Sequence, residues 1–154
     1  MENVFRHYAA NESLYTATVS PVCEKYGLTY MEFTVLMFLA NNPQFDTASD
    51  IVKYRHLTKS HVSMSVRSLE DKGLLKGEHH KPNRRTIHLT VLDAADAIVT
   101  AGRKAQQAFG KILFSGFSDF EYNQLISFMK KIDENISNHI KLMQNKQEHR
   151  YGIK

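Results

Sequence analysis

The sequence predicts a mostly α fold broken by one two-strand hairpin. Three observations carry this. Apolar residues recur every three or four positions along most of the chain, and residues that cap helices stand at the starts of these runs. In one stretch, about 74–89, the period changes around a polar, proline-bearing turn. Hydrophobic residues make up 42% of the chain, enough for a core and too many for a disordered segment.

The first helix is expected over residues 2–26, with Tyr15, Val19, Val22 and Tyr26 as one apolar stripe and Gly27 as its stop. Thr29 followed by Glu32 forms a capping box for a second helix, about 30–41, which buries Phe33, Leu36, Met37 and Ala40. Asn41, Asn42 and Pro43 end it. Thr47 with Asp50 opens a short third helix, about 48–54, turning Ile51 and Val52 inward. Thr58 caps a fourth, running to about Lys72 and closed by Gly73, with Val62, Val66 and Leu69 buried. Arg55, His56 and Leu57 therefore join two helices in a helix-turn-helix connection. Residues 74–79 and 86–89 pair as strands. Thr90 is expected to start a long helix, about 91–114. Ser118, followed by Asp119 and Glu121, opens the last helix, on which Leu125, Met129, Ile132, Ile136, Ile140 and Met143 recur. The polar tail beyond Lys146 is expected to fray.

The net charge of +4 is unevenly placed. Residues 1–52 net −4, whereas residues 53–85 net +6 from nine Lys and Arg against three acids. His56, His61, His79 and His80 share that window. A concentrated basic patch is the footprint of a polyanionic partner. On the fourth helix Ser60, His61, Ser63, Met64 and Arg67 lie opposite the buried stripe, with Lys59 in the first turn. Small hydroxyls let a helix approach the floor of the major groove, and hydroxyls, His and Arg hydrogen-bond base edges or phosphates. First-turn backbone N–H groups also attract a phosphate. The hairpin that follows carries Lys81, Arg84 and Arg85 at its tip.

Other classes find little support. Cys23 is the only cysteine, so no internal disulfide is available, which suits a reducing, cytoplasmic setting. The first residues lack a basic start followed by an apolar run, so no secretory leader is expected. No run approaches the ~18 apolar residues of a membrane span. There is no Gly-rich phosphate loop, nucleophile elbow or acid–base pair, so catalytic residues and a cofactor are not expected. The eight His form no metal signature, and His139 and His149 lack an H-x-x-x-H partner.

This order of elements resembles the MarR family of bacterial winged helix-turn-helix transcription regulators, over nearly the whole chain. The residues that carry the likeness are Leu28-Thr29, Leu57-Thr58-Lys59-Ser60-His61-Val62-Ser63, Leu69-Glu70-Asp71-Lys72-Gly73-Leu74-Leu75, Pro82-Asn83-Arg84-Arg85 and Leu89-Thr90. The resemblance implies an N-terminal dimerisation helix at 1–28, a DNA-binding domain at 29–90 and C-terminal dimerisation helices at 91–154. It implies a homodimer on a near-palindromic double-stranded operator, acting by repression rather than activation. Lys59, Ser60, His61, Ser63, Met64 and Arg67 would face the major groove, and Arg84 and Arg85 the minor groove. The apolar stripe over 125–143 points the same way, being too long for so small a domain to cover alone. Several positions depart from the family. Asn83 stands in place of Asp, and Gly77 in place of Arg, which removes charge anchoring near the wing. Met64 replaces a frequent basic residue and Arg67 a frequent acid, so base preference should differ from that of a typical member; Asp93 replaces a frequent Gly, which is expected to matter little.

Members of the family respond to small aromatic ligands, to oxidants through Cys, or in some branches to metal. The family's pocket lies between the dimer helices and the winged helix, where Tyr15, Tyr26, Tyr30 and Met37 could line it or serve as core. Cys23 falls near a buried stripe, and the reactive Cys of the peroxide-sensing branch sits nearer the start of the helix. The rival reading is a winged helix used only for protein contacts. It predicts no salt-sensitive DNA binding and indifference to Arg84→Ala.

Overall fold

The computed structural model describes residues 2–79 and 86–151, with side chains described for residues 7, 9–79 and 86–143. Among them are six α-helices and one two-stranded sheet: α1 (Glu2–Tyr26), α2 (Tyr30–Asn41), α3 (Ala48–Arg55), α4 (Lys59–Asp71), β1 (Leu75–His79), β2 (Ile87–Val91), α5 (Asp96–Leu113) and α6 (Asp119–Tyr151). The chain divides into two compact units, Met1–Lys111 and Ile112–Lys154.

Local chemistry sets most boundaries in the first unit. Gly27 adopts a left-handed φ of 63°, which lets Leu28 N–H reach the Cys23 carbonyl at 2.9 Å and close α1. The capping box of α2 is complete: Glu32 N–H donates to Thr29 Oγ1 at 3.1 Å, and Thr29 N–H to Glu32 Oε2 at 2.6 Å. Thr47 and Asp50 repeat it at α3. Thr58 Oγ1 accepts from His61 N–H to start α4, and Gly73, at φ 68°, ends it as Leu74 N–H bonds the Leu69 carbonyl. Residues 32–39 of α2 are all buried, so this helix is the centre of the unit, with α3 and α4 packed on it. Leu36, Ile51, Val62, Leu69, Leu75 and Leu89 belong to one buried cluster, and Val19, Cys23, Phe33 and Met37 form a second. Gly102 of α5 allows a close crossing, because a Cβ there would lie 2.5 Å from Met37 Sδ.

β1 and β2 pair antiparallel with Leu75 opposite Val91 and His79 opposite Ile87. Thr90 was expected to begin a helix; it lies instead in β2, opposite Lys76. The ladder extends β2 to Val91, a 3-10 turn (Asp93–Ala95) follows, and α5 starts only at Asp96. Leu92, ahead of that turn, makes no side-chain cap, so no local signal marked the true start. The buried stripe of α4 is also turned from expectation. Val62, Ser65 and Leu69 are buried and Val66 is half-buried.

In the second unit Ser118 caps α6 by a reciprocal pair of bonds with Glu121, whose carboxyl is lowered by the backbone and hydroxyl bonds from Ser118. The helix runs to Tyr151, past the expected fraying point, through a stretch of Gln, Lys, Glu and Arg that favours helix. Leu125 is half-buried, while Met129, Ile132, Ile136, Ile140 and Met143 are exposed. None of the described helices is long and apolar enough to cross a membrane.

Candidate nucleic-acid interface

α3, the turn at His56 and α4 form the helix-turn-helix. His56 takes φ 52°, a left-handed conformation uncommon for a side-chain-bearing residue, and turns the chain within three residues. Lys59, Ser60, His61, Ser63, Met64 and Arg67 are all exposed on α4. Lys53 and Arg55 in the last turn of α3 are exposed as well. Exposed cations therefore stand both on the polar face of α4 (Lys59, Arg67) and at the end of α3 (Lys53, Arg55).

A buried carboxylate holds that helix in place. Glu32 is only 4% exposed. Its Oε1 accepts from Lys72 Nζ at 2.7 Å and from Ser68 Oγ, while Oε2 serves the α2 cap. Burial pushes the carboxyl upward, but the bonds from Lys72, Ser68 and Thr29 outweigh it and bring the value down to about 2. Glu32 is thus ionised and joins the start of α2 to the second half of α4. Sequence reading assigned it the capping role alone.

The base of the wing is fastened from both sides. Gly77 N–H donates to Glu70 Oε1 at 2.9 Å, joining β1 to the end of α4. A Cβ at residue 77 would fall 2.8 Å from that oxygen and 2.9 Å from Ile87 Cγ2. A backbone contact therefore stands where the resemblance led one to expect an Arg. On the other strand, His88 Nδ1 lies 3.0 and 2.9 Å from the two Asp46 carboxylate oxygens, and Leu89 N–H donates to the Asp46 carbonyl at 2.7 Å. Lys81, Arg84 and Arg85, expected at the wing tip, lie outside the described residues.

Of the four residues expected at a ligand pocket, Tyr15, Tyr30 and Met37 meet at the smaller core cluster, while Tyr26 packs on the larger one. Tyr15 and Met37 line a cavity of about 100 Å³ with Thr34, Phe38, Asn41, Asn42, Arg55 and Gln106. Gln106 Nε2 donates to Tyr15 Oη at 2.9 Å, and Asn41 Nδ2 donates to Gln106 Oε1 at 3.0 Å. Tyr30 instead meets the edge of the Tyr15 ring, with centroids 6.5 Å apart. Tyr26 packs on the larger core cluster and points its hydroxyl at the Ala97 carbonyl, 3.4 Å away. Cys23 is buried, and that burial pushes its thiol up from the usual range. Among the described residues, no three His, Cys, Asp or Glu side chains cluster to hold a metal.

Comparison with known proteins agrees with this architecture. The model of the MarR family matches residues 26–86. A MarR transcriptional regulator from Methanosarcina mazei Go1 superposes with a TM-score of 0.74 at 18% identity, covering 90% of this chain and 99% of that one. A putative MarR-family regulator from Listeria monocytogenes, solved with a 26-mer DNA, gives 0.75 at 18% identity, covering 88% and 89%. BpsR of Bordetella bronchiseptica, whose DNA binding is regulated by 6-hydroxynicotinic acid, gives 0.65 at 20% identity, covering 85% and 98%. Curated protein sequences give no significant match.

Proposed function

With residues 26–86 belonging to the MarR family and the fold of its regulators shared along the chain, we propose that this protein is a sequence-specific DNA-binding transcription regulator. It acts as a homodimeric repressor released by a small ligand. The observation that carries the reading is the α4 face. Five side chains able to reach base edges or phosphates (Lys59, Ser60, His61, Ser63 and Arg67) stand exposed together on a helix fixed by the ion pair of Lys72 with the buried Glu32 carboxylate. The Listeria relative was solved on DNA, which supports the same use of the fold.

Dimerisation rests on the apolar residues exposed along α6, which a second copy would cover. In that assembly 1–28 and 91–154 are the dimerisation helices and 29–90 the DNA-binding domain. Two copies of α4 then meet successive major grooves, about 34 Å apart, on a near-palindromic site. Arg84 and Arg85 would reach the minor groove, with Lys81 as a further DNA contact. The cavity beside Tyr15 and Met37 is the place for a small aromatic ligand, a use supported by the ligand control of BpsR.

The test is selection of binding sites from random double-stranded DNA at two salt concentrations. A palindrome should be enriched, Arg67→Ala should weaken its binding, and Lys59→Ala should reduce the log–log salt slope by about 0.9. Absence of enrichment together with indifference to Arg84→Ala would turn the reading to protein contacts.

A further inference from the structure

Met64 is the anomaly of the α4 face. It is 68% exposed at the middle of a helix whose neighbouring surface is Ser60, Ser63 and Arg67. The same helix buries Val62 and Leu69, so an apolar side chain left in water is not needed for its packing. To one side Met64 borders an open groove of about 420 Å³, walled by Met31, His61, Ser65 and Ser68. The long, unbranched side chain has room there to change rotamer, and its soft sulfur adapts to irregular apolar surfaces.

A major groove offers such a side chain one apolar partner among the four standard bases. The other distinguishing base-edge groups there are hydrogen-bond donors or acceptors, cytosine presents only a ring C–H at the same position, and the thymine C5-methyl is the one alkyl group. We propose that Met64 is a specificity-determining residue that reads thymine methyl groups, selecting T at one or two positions of each half-site. This rests on the assignment of α4 as the DNA-reading helix. The polar neighbours position the helix and read adjacent edges, and Met64 adds a preference that hydrogen bonding does not give. Contact removes both the methyl and the thioether from water, which favours T over C at that step without a direct hydrogen bond.

The experiment replaces each thymine of the selected half-site by deoxyuridine, which deletes the methyl and leaves the pairing unchanged. Affinities are measured by fluorescence anisotropy for the wild type and Met64→Ala. The exposed position keeps the variant folded, and a thermal melt checks this. Wild type should lose about fourfold in affinity at the contacted thymine of each half-site, the worth of one buried methyl. Met64→Ala should bind the thymine site more weakly and show no further loss with deoxyuridine. A wild type indifferent to every substitution overturns the inference, as does a variant that keeps the full deoxyuridine penalty; both leave DNA binding standing. A protein with no sequence preference overturns the functional reading and this inference together.

Discussion

Replacing Glu32 by Gln should destabilise the protein near neutral pH, and the cost should fade in acid. The carboxyl is held at about 2, against 4.5 for the ordinary group. At ~1.4 kcal/mol per unit that difference is worth about 3 kcal/mol of folding stability. The Lys72 side chain is still 37% exposed, so water screens part of the attraction and ~2 kcal/mol is the working figure. The folded value lies below the unfolded one. The stabilisation is therefore fully present above pH about 4.5 and is lost as pH falls through about 2. Gln keeps the shape and one acceptor but has no charge to lose. Urea unfolding followed by circular dichroism, on both proteins at pH about 7 and about 2.5, gives the answer as a double difference. The remaining carboxylates titrate in both and cancel. The gap between the proteins should be ~2 kcal/mol at the higher pH and less than half of that at the lower. A gap equal at both would refute the ionisation argument and assign the cost to packing. No gap at all would mean that desolvation of the carboxylate offsets its bonds, as in many buried ion pairs.

Three further outcomes follow from the same geometry. Gly77→Ala should cost about 1–3 kcal/mol in chemical denaturation, because its Cβ meets Glu70 Oε1 at 2.8 Å and Ile87 Cγ2 at 2.9 Å. Gly102→Ala should destabilise by a similar ~1–3 kcal/mol through contact with Met37 Sδ and Phe33 Cε2; combining it with Met37→Ala should cost less than the sum of the two single changes, as an unfolding-based double-mutant cycle would show. Cys23, buried and with its thiol pushed up, should react with a thiol reagent quickly only in denaturant, and peroxide should leave DNA affinity unchanged in the native protein.

How far the fold could be read from the chain depended on how far apart the interacting groups lie. Thr29, Thr47, Thr58 and Ser118 cap through bonds to residues three positions on, and Gly27 and Gly73 stop helices through their own backbone angles. Such signals are complete within one turn, so the helix starts and stops they mark were legible. Thr90 was misread because its neighbours resemble a helix start, while its conformation is set by Lys76 on the opposite strand. The wing base was hidden for the same reason, its Asp46–His88 contact spanning 42 positions. The exposed face of α4 was legible because helical periodicity alone separates it from Val62 and Leu69. The polar lining of the cavity beside Tyr15 and Met37 was less legible, because Asn41, Arg55 and Gln106 reach it from three different helices.

Glu32 shows that a recognised local role can conceal a distant one. Its capping bond accounts for the residue's identity, so nothing in the capping pattern asks for more. The second role had a signal nonetheless. Apart from Glu32, α2 carries no other ionisable group but the Tyr30 phenol, and it is buried continuously from residue 32 to residue 39. A carboxylate on such a helix leaves water, and a capping bond from one backbone N–H satisfies only one of its two oxygens. The free oxygen requires donors from elsewhere in the chain, and a cation is the strongest available. Lys72 and Ser68, 40 and 36 positions away, supply them one helical turn apart, from the C-cap and the last turn of α4. The charge that breaks the apolar pattern of the central helix is thereby the one that fixes α4 upon it.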